Sequence, residues 1–76
     1  MKAIIAKYLG ATNSKGSRIK AFDCDGNSVT IPYPHELSGE DVYKRAAIKL
    51  CEKMKWDTEL LGGGIKEGYV FVFKNQ

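Results

Sequence analysis

The sequence predicts a small α+β domain with the element order β-β-β-α-β, one helix packing on one face of a four-stranded sheet, mixed or antiparallel. Three observations predict it. Three runs carry the two-residue period of a strand, and a fourth, near the end, is apolar on both faces. An Asp25-Gly26 pair sits between two of them in hairpin position, and one stretch beyond Ser38 carries the period of an amphipathic helix.

The first strand spans residues 2–9, with Lys2, Ile4, Ala6 and Tyr8 on one face and Ala3, Ile5, Lys7 and Leu9 on the other. Residues 10–16 are rich in turn formers and read as a loop. A second strand, about Ser17 to Cys24, sets Arg18, Lys20, Phe22 and Cys24 against Ile19 and Ala21. After the Asp25-Gly26 turn, a third strand from Ser28 to Tyr33 alternates Val29, Ile31 and Tyr33 against Ser28, Thr30 and Pro32. Pro32 has no N–H for a ladder, so this strand belongs at a sheet edge.

Ser38 is the expected N-cap of the helix, with Asp41 completing a capping-box-like pair. Val42, Tyr43, Ala46, Ala47, Leu50, Cys51 and Met54 share its apolar face, and Lys53 and Lys55 suit its negative end. Ile48 falls on the polar side, an apolar outlier beside Lys44 and Lys55. Residues 57–64, ending in Gly62-Gly63-Gly64, read as a flexible connection. The last strand, Tyr69 to Lys74, is apolar on both faces and therefore central. A helix joining the third strand to the last implies that those two run in the same sense, with the last beside the first.

A chain of 76 residues makes one domain, residues 1–76. It buries only about 60–65% of the surface its unfolded form exposes. A deep substrate cavity would remove side chains that so small a core cannot spare, which places function on a surface. No apolar run is long enough to span a membrane, and Lys7 interrupts the opening apolar stretch too early for a signal peptide. Two cysteines outside any CxxC pair, Cys24 and Cys51, read as reduced thiols of a cytoplasmic protein.

The residues supply little chemistry. His35 is the one histidine and reads as a loop or capping residue. With Cys24 and Cys51 it falls short of the three or four ligands of a metal site. Asp23/Asp25 and Glu40/Asp41 have simpler work in the hairpin and at the helix N-terminus. Gly62-Gly63-Gly64 lacks the Lys-Ser/Thr of a phosphate loop. The reading is a non-enzyme without cofactor or metal.

Charge is the informative feature. Residues 1–20 hold Lys2, Lys7, Lys15, Arg18 and Lys20 and no acid, whereas residues 21–43 hold five acids and no lysine or arginine. Such blocks predict a dipolar surface with a basic end that seeks an anionic partner. The loop donors Asn13 and Ser17 suit phosphate oxygens alongside Lys7, Lys15, Arg18 and Lys20. Arg18, Lys20 and Phe22, with Tyr8 or Tyr33, would give an uncovered sheet face the cations and rings used by single-stranded nucleic-acid binders.

As an ordered set, Lys7-Tyr8-Leu9-Gly10-Ala11-Thr12-Asn13, the run from Gly16 to Ala21, Val29-Thr30-Ile31-Pro32-Tyr33, Ala46-Ala47 with Leu50-Cys51-Glu52-Lys53, and Gly62-Gly63-Gly64 with the run from Gly68 to Phe73 resemble a group of short proteins encoded by bacteriophages and other mobile elements. The resemblance covers nearly the whole chain and implies a genomic setting, in the host cell cytoplasm, without catalytic residues. The leading expectation is an accessory protein that binds nucleic acid or a nucleic-acid-handling complex through its basic first third. The alternative is a protein–protein inhibitor of a host defence system or other host enzyme, docking through Lys44, Ile48 and Lys55 or through the edge of the third strand. A third is a homodimer through sheet edges or the uncovered face.

Overall fold

Strands form where the alternation predicts them, and one more forms where it does not. The computed structural model describes residues 3–14, 16–66 and 68–74. In chain order its elements are β1 (Ala3–Leu9), β2 (Arg18–Phe22), β3 (Ser28–Pro32), α1 (Glu40–Met54), β4 (Leu60–Ile65) and β5 (Gly68–Phe73). Every pairing is antiparallel, and the strand order is β3-β2-β1-β5-β4.

The additional strand corrects the expected four-stranded sheet. β4 takes up the glycine triplet read as a flexible connection. It lies at the far edge from β3, and β5 folds back from it to pair with β1. That extra reversal makes the last strand run opposite to β3, so the expected shared direction belongs to β3 and β4 instead. The placements of β3 at an edge, β5 beside β1 and β5 away from the edges agree with the sequence.

Cross-strand rings hold a segment that has almost no side chains of its own. Gly62 pairs with Phe71 and Gly64 with Tyr69. A Cβ on Gly62 would lie 2.5 Å from the Phe71 ring, so the ring occupies the space that a side chain would need. Aromatics that cover strand glycines in this way restore the burial that glycine forfeits.

The helix covers one face. Val42, Ala46, Ala47, Leu50 and Cys51 are buried against Ile4, Ala6, Ile19, Ala21, Leu60, Phe71 and Phe73. Its N-terminus departs from the expected cap: Gly39, not Ser38, is the N-cap, at φ 61°, and no side chain caps the first turn. Glycine turns the chain into the helix one residue later than expected, which leaves Ser38 outside. Glu40 and Asp41 still supply negative charge to the first turn. Ile48, expected on the polar side, is half-buried and packs against the core.

The β2–β3 hairpin is organised by Asp23. Its carboxylate accepts the backbone N–H groups of Asp25 (2.9 Å) and Asn27 (3.0 Å) and the Asn27 side-chain amide (3.0 Å). Gly26 provides the positive φ, 90°, that the turn requires.

At the other end of the helix, Lys55 is the one non-glycine described residue with positive φ (61°), closing α1 in the left-handed conformation. Lys55→Gly should raise stability by about 0.5–1 kcal/mol, the left-handed strain of roughly 1–2 kcal/mol less glycine's greater unfolded-state entropy. Gly62→Ala should lower it by about 1–3 kcal/mol, because the methyl group displaces the Phe71 ring. Denaturant midpoints at unchanged slope measure both.

Candidate nucleic-acid interface

Strand register determines what the uncovered face presents. The even residues of β1 point at the helix, so Ala3, Ile5, Lys7 and Leu9 point away from it. Pairing carries this parity across the sheet in rows. One row is Pro32, Arg18 and Leu9; the next is Thr30, Lys20, Lys7, Gly68 and Ile65. The third is Ser28, Phe22, Ile5, Val70 and Gly63, and the last is Ala3, Val72 and Leu61. Cations therefore collect toward one end of the face, and aliphatic side chains with Phe22 toward the other.

Lys7 and Lys20 stand directly opposite each other across β1 and β2. Like charges at directly paired positions, with Cβ atoms about 4.5–5.5 Å apart, are destabilising without a counter-charge. Among the described residues the ion pairs are Lys49–Glu52 (3.8 Å) and Lys74–Glu59 (3.9 Å), and neither involves Lys7, Arg18 or Lys20. The Lys20 ammonium instead lies 5.6 Å from the centroid of the Phe22 ring. Arg18 Nε is buried without a hydrogen-bond partner. Such an atom is uncommon in a folded protein.

The remaining expected contact residues divide between surfaces. Asn13 is exposed in the loop after β1. The Ser17 hydroxyl shares a 2.9 Å hydrogen bond with the Tyr8 hydroxyl, which draws it toward the helix side. Lys15 lies outside the described residues. Lys44 is half-buried on α1, and Lys55 is exposed at its C-terminal cap.

Tyr8 and Tyr33, considered for the open face, belong to the covered one. With Ser17, His35 and Tyr43 they line a pocket of about 380 Å³ at the helix N-terminal end. Tyr8 meets Tyr33 edge-on at 5.9 Å, Tyr33 meets His35 at 5.0 Å, and Tyr43 meets Tyr69 at 5.0 Å. Sequence reasoning missed this cluster. The available signal was parity, since Tyr8 follows Ile4 and Ala6 just as Tyr33 follows Val29 and Ile31.

Cys24 and His35 lie beyond opposite ends of β3. Cys51 is buried in the core, where burial first and the negative charge of Asp57 second raise the pKa of its thiol. Among the described residues, no three His, Cys, Asp or Glu side chains gather where they could hold a metal ion, and no helix is long and apolar enough to cross a membrane.

Comparison with protein-family models, curated proteins and solved structures finds no match to this chain.

Burial raises the Tyr43 hydroxyl above a tyrosine's ordinary pKa of 10.0, and the neighbouring Tyr33, Tyr69 and Tyr8 add to the rise. Because the folded value exceeds the unfolded one, Tyr43 contributes stability that is fully present below pH 10.0 and is lost as pH climbs through its folded pKa. Ultraviolet titration should show a phenol ionising above the ordinary tyrosine value of 10.0. Tyr43→Phe should remove that component and flatten the alkaline loss of stability.

Proposed function

We propose that this chain is a small non-enzymatic accessory protein of a bacteriophage or other mobile element. It acts in the host cytoplasm by binding single-stranded nucleic acid, or a complex that handles it, on the uncovered face of its sheet. The mobile-element setting rests on the sequence resemblance. The binding mode rests above all on one observation, the direct pairing of Lys7 with Lys20 on a face where neither has a carboxylate partner among the described residues. A phosphate between the two ammonium groups removes their mutual repulsion, so the site is more favourable occupied than empty.

Arg18 extends the cationic row along β2, and Phe22, the next residue inward on that face, offers a ring to a base. Cations that follow a backbone beside an aromatic platform bind single strands with little dependence on sequence. An open sheet is also a known platform for unpaired bases. Asn13, exposed in the adjoining loop, adds an amide donor. The competing reading, an inhibitor docking through Lys44, Ile48 and Lys55, loses its apolar anchor because Ile48 packs on the core.

Two phosphates, one shared by Lys7 and Lys20 and one at Arg18, predict that log affinity falls with log salt at a slope of about −1.4 for a single strand. Fluorescence anisotropy with a labelled oligonucleotide should give that slope. Combining Lys7→Gln with Lys20→Gln should reduce it to about −0.7, and Phe22→Leu should weaken binding by about 1–3 kcal/mol with the slope unchanged. Absence of binding at low salt, or equal binding by the double variant, would overturn the proposal.

A further inference from the structure

The exposed edge at β4 differs from its counterpart at β3. Edge strands of stable monomers are blunted by charge, proline or a covering group. β3 has two such devices, since it ends at Pro32 and the Lys53 ammonium donates to the Ser28 carbonyl at 2.9 Å. β4, Leu60-Leu61-Gly62-Gly63-Gly64-Ile65, has no charge, no proline and regular pairing with β5 throughout. Leu61 and Ile65, 55% and 41% exposed, both lie on it, and Tyr8 is the one other large hydrophobic residue exposed among those described.

We propose that β4 pairs antiparallel with β4 of a second copy of this chain, about a two-fold axis at Gly63. The sequence is self-complementary about that residue. Leu61 and Ile65 stand equally far on either side, so the axis places Leu61 against the partner's Ile65 and Ile65 against the partner's Leu61. Both pairs lie on the uncovered face.

The backbone fits the same axis. Lys74 N–H donates to the Glu59 carbonyl at 3.0 Å. Hydrogen-bonded and free positions alternate along an antiparallel ladder, so the odd residues of β4 bond inward to β5. Gly62 and Gly64 then turn their N–H and C=O groups outward. About the Gly63 axis, Gly62 meets the partner's Gly64 and exchanges two hydrogen bonds with it, and Gly64 does the same with the partner's Gly62. Neither glycine has a side chain to hold the second backbone away. The contact is isologous, as a closed dimer requires.

Sedimentation equilibrium without nucleic acid tests the assembly apart from any ligand. The apparent mass should rise with concentration from that of one chain to that of two. In a Cys24→Ser background, Gly63→Cys should form an interchain disulfide on mild oxidation. Residues paired without hydrogen bonds have Cα atoms about 4.5 Å apart, within disulfide reach. Leu61→Cys should not, because the two copies of residue 61 would be roughly 14 Å apart along the strands.

Gly64→Pro removes an outward N–H without breaking a bond to β5, and Leu61→Lys puts a charge at the contact without entering the core. Each should return the protein to a monomer with its circular dichroism retained. If Gly64→Pro fails to fold, Leu61→Lys alone decides the point. A wild-type protein that stays monomeric into the sub-millimolar range would overturn the proposal. So would Leu61→Cys crosslinking as readily as Gly63→Cys, or a dimer that survives Leu61→Lys.

Discussion

One helix has to cover five strands. A helix of fifteen residues is about 22 Å long and about 10–12 Å wide, whereas five strands spaced about 4.8 Å apart present a sheet roughly 20 Å across. α1 therefore packs chiefly over β1, β2 and β3, and large rings fill the cover beside it. Tyr43 packs with Tyr69, Tyr69 with Phe71, and Trp56 edge-on with Phe73. The glycines of β4 follow from the same shortage of cover. Phe71 and Tyr69 lean across the outer strand, and only a residue without Cβ leaves space over Gly62 for the Phe71 ring, with Glu40 of α1 close by.

That geometry also exposes the second face. Among the described residues no other element lies over it, so its composition is free of core packing and answers to whatever meets it. The face is neither uniformly polar, as a purely solvated face would be, nor uniformly apolar, as a buried one would be. Its aliphatic rows end at a cationic row containing a pair of opposed lysines. Ring, aliphatic surface and cation lie in register on adjacent strands, which is why the face, and not the tyrosine-lined pocket, carries the functional reading.

Much of this was legible in the residues. Period-two alternation located β1, β2 and β3 to within a residue or two, because half-buried strands must alternate, and a run apolar on both faces located β5 equally well. The apolar stripe from Val42 to Met54 located the helix for the corresponding reason. β4 was not legible. Its strand character comes from the side chains of Tyr69 and Phe71 on its neighbour, and Gly62-Gly63-Gly64 has no propensity of its own to announce it. The N-cap moved because a left-handed Gly39 can turn the chain as well as a serine can cap it, and local preference does not choose between the two. Which face of β2 met solvent required knowing that Ile19 and Ala21 pack beneath the helix. That is a tertiary fact, although the composition of β2 had narrowed it to two choices. Ile48 was misjudged from a helical wheel that places polar residues beside it but cannot show how far the core extends around the helix.

Charge on the open face is best understood from the acids that do not reach it. Asp23 is consumed by the N–H groups of its own hairpin, and Asp57 accepts the Glu59 N–H at 3.0 Å. Glu59 pairs with Lys74 and Glu52 with Lys49, while Glu40 and Asp41 serve the first turn of the helix. Each of these carboxylates is held by local structure on the helix layer or in a turn. A formal net charge of only +3 is therefore divided unevenly between the two sides of the sheet. The carboxylates with these contacts are engaged away from Lys7, Arg18 and Lys20. A modest overall charge concentrated on one open surface steers an anion more effectively than a larger charge spread evenly.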